Sequence, residues 1–122
     1  SEDTAPAATC DARRPWLRLL DGEALVSHMC SCARGLTKFC TLLVEGVVMP
    51  PQSGRWYYEL TLLGDGLAQV GWADSLFTCS DAAGRGVGDD AHSWAFDGER
   101  QRRWHAGQVL YGRRWASGEV VG

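Results

Sequence analysis

The sequence predicts an all-β, antiparallel fold, and three features carry that expectation. Polar and apolar residues alternate along Arg55-Trp56-Tyr57-Tyr58-Glu59-Leu60-Thr61-Leu62, which is the period of a half-buried strand. Turn signals such as Asp21-Gly22, Gly64-Asp65-Gly66 and Asp97-Gly98 punctuate the chain at short intervals. A content of 15 Gly and 6 Trp in 122 residues favours strands and tight turns over long helices. The length suits one domain, and 45% hydrophobic with 22% charged residues is an ordinary globular composition. A formal charge of -3 gives no general reason to bind nucleic acid.

The elements follow in order. Residues 1–9 are small and polar and predict a flexible tail, leaving 10–122 as the domain. Trp16 to Leu20 reads as a first strand that Asp21-Gly22 ends. Glu23 to Cys32 fits a short helix as well as a strand. Phe39 to Met49 is strand-rich, and Pro50-Pro51-Gln52-Ser53-Gly54 is a loop. Arg55 to Leu63 and Leu67 to Ala73 read as a hairpin joined by Gly64-Asp65-Gly66. His92 to Phe96 and Gln101 to His105 read as a second hairpin around Asp97-Gly98-Glu99-Arg100. Tyr111 to Trp115 is a loop or short strand, and Gly118 to Gly122 begins another strand. Period-2 alternation places Trp56, Tyr58, Val70, Trp72, Trp94 and Phe96 in the core. The segment Asp74 to Gly88 is too long for a bare turn and carries Leu76-Phe77, which marks it as functional.

Chemistry candidates are weak. Five Cys cannot all pair internally, and Cys30-x-Cys32 with Cys40 and Cys79 lacks the paired knuckles of structural zinc. Free thiols and no bound metal are expected, in a reduced, intracellular, cytoplasmic setting. The start of the chain has no signal-peptide pattern, and no apolar run is long enough to cross a bilayer. Asp89-Asp90 and Asp97-Gly98-Glu99 invite a glycosidase reading, but they read more simply as turn carboxylates accepting backbone N–H bonds. Gly84-x-Gly86-x-Gly88 lacks the features of a phosphate loop, and nothing brings Cys79, Ser80 and His92 together as a triad.

Charge is uneven. Positions 58–99 hold eight acids and one base, whereas positions 100–115 hold five Arg and no acid. Interleaved with Trp104 and Trp115, that stripe either faces the chain's own acidic hairpin or meets an anionic ligand.

Six segments in order resemble a SPRY domain. They are Trp56-Tyr57-Tyr58-Glu59-Leu60, Gln69-Val70-Gly71-Trp72-Ala73, Gly86-Val87-Gly88-Asp89-Asp90, Ser93-Trp94-Ala95-Phe96-Asp97-Gly98, Arg103-Trp104, and Trp115 through Gly122. They cover about residues 55–122, and 16–54 more loosely. The pattern is most similar to SPRY domains of RING-type ubiquitin ligases. The resemblance implies a bent, concanavalin-like β-sandwich that binds protein partners through loops at one end, without catalysis or cofactor. It also implies further strands after Gly122, so the sandwich is expected to lack its C-terminal strands within this sequence.

The expected function is therefore a non-catalytic interaction module that recruits substrates or cofactors to an E3 ubiquitin ligase. The expected partner-binding residues are Arg34, Asp65, Gly66, Leu76, Phe77, Asp81 and Arg85. An apolar pair ringed by polar groups is the pattern of an interface core with its rim. The competing reading of Phe77 folds it back into the sandwich. Two rival functions remain: a structural SPRY copy packed inside a large assembly such as a ryanodine-receptor-type channel, and a glycan-binding sandwich. Neither a nucleic acid nor a membrane is expected as partner, and the oligomeric state is open.

Overall fold

The computed structural model describes residues 16–27, 31–45, 54–64 and 66–122. Ten short strands and no helix occur among these residues. Hence no helix among them is long and apolar enough to cross a membrane. The tail, the loop Pro50 to Ser53 and Asp65 lie outside the described residues. The chain divides into two compact units: Ser1–Val48 with Thr78–Gly86, and Met49–Phe77 with Val87–Gly122.

In the first unit, β1 (Trp16–Asp21) pairs antiparallel with β4 (Thr41–Glu45), from Trp16↔Glu45 to Asp21↔Thr41. A bulge between Leu19 and Asp21 absorbs one residue where the strand runs into its Gly22 turn. Arg18 Nε donates to Glu45 Oε2 at 2.7 Å on a neighbouring cross-strand position. In the ambiguous stretch Glu23 to Cys32, the described residues Ala24–Ser27 and Cys32 are strand. β2 (Ala24–Ser27) pairs with β3 (Cys32–Gly35), with Val26 and Ser27 buried. Gly22 turns at φ +83, and a Cβ there would sit 2.7 Å from the Cys40 backbone, so only glycine fits. The segment 78–86 is tied to this unit by carboxylates. Asp81 Oδ1 accepts from the Phe39 amide at 2.8 Å, and the Asp81 amide donates to Asp21 Oδ2. Ser80 and Arg85 close the segment with two reciprocal backbone bonds of 2.9 Å.

In the second unit, β6 (Val70–Ala73), β7 (Ser93–Asp97), β8 (Arg102–Trp104) and β9 (Gln108–Leu110) form an antiparallel sheet in that order. The expected second hairpin is present as β7–β8, with Ala95↔Trp104 and Asp97↔Arg102. The expected first hairpin is not. β5 (Leu60–Thr61) pairs with β10 (Val120–Val121), and β6 pairs with β7. Leu62 N donates to Glu119 O at 2.9 Å and Gly118 N to Leu62 O at 2.6 Å, so β5 spends its backbone groups on the C-terminal segment. Alternation tells which face a residue takes, but it is silent on which strand pairs with which. Tyr111 to Trp115 takes the loop form of its two expected forms, and β9 at Gln108–Leu110 is a strand that the sequence reading did not pick out.

The core differs from expectation in its location. Trp56, Trp72 and Trp94 are 44%, 38% and 46% exposed, while Tyr58, Val70 and Phe96 are half-buried. The six share one face, as alternation predicts, but among the described residues that face is open. The buried positions lie on the other face of β7: Ser93, Ala95 and Asp97. Trp115 is also buried, against Gly98, where its indole leaves no room for a Cβ.

Gly71 on β6 crosses β7 so closely that a Cβ would run into the Trp94 carbonyl and come within 2.8 Å of Ala95 Cα. Backbone cannot give way as a flexible side chain does. Gly71→Ala is expected to cost about 1–3 kcal/mol by overpacking, whereas Gly64→Ala, which meets nothing within 4 Å, should be near neutral. Thermal melts of the two variants check this; equal melting would refute the close β6–β7 approach.

Candidate interaction surfaces

Three of the expected partner-binding residues lie in the first unit. Arg34 sits on β3 opposite Leu25, with its side chain exposed. Arg85 is exposed at the end of the Ser80–Arg85 bridge, and neither arginine makes an ion pair among the described residues. Asp81 is half-buried, and its carboxylate is spent on the Phe39 amide. It therefore holds the loop and offers little to a ligand.

Another three lie in the second unit. Gly66 is exposed at φ +129, a conformation that only glycine takes easily. Leu76 is 67% exposed, and Phe77 is half-buried. Asp74 builds the turn that presents them. Its Oδ1 accepts from the Leu76 amide at 2.9 Å, its carbonyl accepts from Phe77 N at 3.2 Å, and its Oδ2 lies 3.0 Å from His92 Nδ1. The His92 hydrogen bond, then the Leu76 amide, hold the Asp74 carboxyl below its ordinary value, against smaller opposing pushes from desolvation and from Asp90. Asp65, the seventh residue, lies outside the described residues. The expected single loop from Asp74 to Gly88 is thus shared, with Asp74–Phe77 in one unit and Thr78–Gly86 in the other.

Sequence reasoning did not locate a concavity on the aromatic face. A cavity of about 400 Å³ opens on the aromatic face of the second unit, lined by Trp56, Tyr58, Trp72, Trp94, Phe96 and Tyr111 among others. Tyr58 and Trp72 meet edge to face at 5.1 Å, and Phe96 meets Tyr111 at 6.0 Å in the same way. Trp94 stacks on His105 at 4.8 Å. Among the described residues of the lining Arg103 is the one cation, its guanidinium 5.3 Å from the Tyr111 ring centre. Burial pushes the Tyr58 hydroxyl up, and the hydroxyl donates to Gly71 O at 2.8 Å. The residues were legible as one face from their period-2 alternation.

The catalytic alternatives find no support in the geometry. Asp97 is fully buried and saturated with hydrogen bonds. Asp90 Oδ1 accepts from His92 N at 3.0 Å and from Ser93 Oγ at 2.8 Å, a turn role as the sequence suggested. Among the described residues, Cys32, Cys40 and Cys79 are unpaired thiols, and no three His, Cys, Asp or Glu converge as a metal site. Cys10, Cys30 and His28 lie outside the described residues. Burial pushes the Cys40 thiol up, the opposite of what an activated nucleophile needs.

Comparison with known proteins agrees with this geometry. The SPRY domain profile matches residues 55–122. Over 69 residues the chain is 41% identical to E3 ubiquitin-protein ligase RKP of Arabidopsis thaliana, covering 57% of this chain and 5% of that protein. Over 70 residues it is 27% identical to the probable ATP-dependent RNA helicase ddx1 of Dictyostelium discoideum, covering 57% of this chain and 8% of that protein. The chain thus spans less than a tenth of the length of these two relatives. The matched region carries β5 to β10, the Asp97 turn and the aromatic face, and with more than half its length matched the chain belongs to the SPRY domain family, an antiparallel β-sandwich fold.

Proposed function

We propose that residues 10–122 form a non-catalytic protein-interaction module that recruits substrates or cofactors to an E3 ubiquitin ligase in the cytoplasm. The observation that carries this reading is the 41% identity to an E3 ubiquitin-protein ligase across the SPRY region. Three features of the chain support it. The carboxylates that a glycosidase would need are committed to turns, and Leu76 stands exposed on a turn that Asp74 braces. Unpaired Cys32, Cys40 and Cys79 suit a reducing compartment. The partner is a protein or peptide segment, met by the loops that carry Arg34, Asp65, Gly66, Leu76, Phe77, Asp81 and Arg85. Leu76 and Arg85 supply exposed anchors; Asp81 supports its loop.

A second reading is favoured by the aromatic groove. Three half-exposed Trp on one face fit a SPRY module that packs this face against a further β-layer, either its own continuation or a neighbouring domain. Comparing the 122-residue chain with one extended at its C-terminus from the full gene product separates the cases. If the face is closed in this way, the longer chain shows blue-shifted Trp emission and a higher melting temperature. Identical spectra and melts would exclude closure by the chain itself.

For the recruitment reading, the test is the full gene product carrying Leu76→Ala and Arg85→Ala. Losing an aliphatic or Arg anchor at an interface centre costs about 2 kcal/mol or more when it is a hot spot. A defined set of proteins is expected to lose ubiquitylation while self-ubiquitylation and the melting temperature stay unchanged. An unaltered ubiquitylation profile would place the recruiting surface elsewhere.

A further inference from the structure

β9 is an outer edge of the four-stranded sheet, paired with β8 alone among the described strands. The direction of its backbone groups follows from the ladder. Tyr111 N donates to Gln101 O, and His105 N donates to Gly107 O, each at 2.9 Å. These are hydrogen-bonded positions, and antiparallel pairs alternate. Arg103↔Val109 is therefore hydrogen-bonded, while Arg102↔Leu110 and Trp104↔Gln108 are not. The N–H and C=O of both Gln108 and Leu110 consequently point away from β8, and none of them finds a backbone partner among the described residues. All three residues of β9 are exposed, Leu110 by 72%. No proline, lysine or bulge blunts the strand, as native edges usually require.

Charge narrows the occupant. From Arg100 to Gly118 the chain contains no acid. Arg100 is taken by Asp97 and Arg114 by Glu99, but Arg102, Arg103 and Arg113 make no ion pair among the described residues. Arg102 and Arg103 stand one strand in from the edge, one toward each face, and Arg113 follows the strand. A second copy pairing through β9 would bring two acid-free, arginine-rich segments together, and their mutual repulsion disfavours that occupant. We propose that the β9 edge receives an extended, Asp- or Glu-bearing segment of a partner protein as an added antiparallel strand. Main-chain bonds to Gln108 and Leu110 supply the attachment, and the arginine stripe selects for acidic side chains. This surface is separate from the loops of the recruitment reading and does not depend on it.

The probe is a synthetic peptide alternating Glu and Val, compared with its Lys-for-Glu counterpart, on the 122-residue chain followed by amide hydrogen exchange. The Glu peptide is expected to protect the Gln108 and Leu110 amides and to leave Val109, already bonded to β8, unchanged; the Lys peptide protects neither. Leu110→Pro removes one outward donor that the β8 ladder does not use, so it lowers affinity about tenfold while Val109 and Tyr111 keep their protection. Arg102→Glu with Arg113→Glu reverses the preference between the two peptides. Absence of protection, equal response to both peptides, or peptide-independent protection in a concentration-dependent dimer would each overturn the proposal.

Discussion

The second unit is organised around one buried carboxylate. Asp97 ends β7 with no solvent exposure, where an unpaired charge would be prohibitively costly. It is satisfied by the turn that follows it: the Glu99 amide at 2.9 Å, the Arg100 amide at 3.1 Å and Arg100 Nε at 2.5 Å. Arg100 then passes the constraint outward, donating to Gln69 Oε1 at 3.0 Å, while Gln69 Nε2 donates to Val87 O at 2.6 Å. Charge-assisted bonds of this kind are about twice as strong as neutral ones. Because the carboxylate cannot shift without losing several bonds together, the β7–β8 turn has one conformation. The register of β8, and through it β9, follows.

From that register the two faces of the sheet take their chemistry. One face carries Ser93, Ala95 and Asp97 into the interior, where Ser93 Oγ accepts from the Gly88 amide at 2.7 Å. The opposite face collects Trp72, Trp94 and Phe96 into an aromatic groove. Trp115 crosses over Gly98 at the start of the Asp97 turn and meets Phe96 edge to face at 5.3 Å. A glycine at position 98 is thus needed for a packing reason as much as for the turn. The first unit uses carboxylates in the same manner, with Asp21 and Asp81 tying segment 78–86 to β1 and the turn before β4.

Much of this was legible in the sequence, and the remainder was not for identifiable reasons. Alternation at Ser93 to Asp97 separated the two faces correctly but put the core on the Trp94 and Phe96 side, whereas Ser93, Ala95 and Asp97 are the buried ones; the Asp-Gly turn located the β7–β8 hairpin. The SPRY resemblance placed the family from motifs whose glycines and Asp97 have evident structural duties. Pairing partners were not legible. Gly64-Asp65-Gly66 has every local mark of a hairpin turn, yet β5 pairs with β10 near the other end of the matched region. Such nonlocal choices depend on the whole sheet and leave no trace in a short window. The expected binding residues were read from loop composition alone. Composition found the exposed Leu76 but did not show that Asp81 is spent on the Phe39 amide.

Acidic side chains build turns in both units, while Leu76, Arg34, Arg85 and the β9 strand stand exposed. The account therefore depends on the Asp97 turn being as firm as the sheet it anchors. Native-state hydrogen exchange measures this directly. If Asp97 has the stated role, the amides of Glu99 and Arg100 exchange only through global unfolding, with the same opening free energy as the ladder amides of β7. Exchange of those two amides through a low-energy local opening, while β7 stays protected, would contradict it.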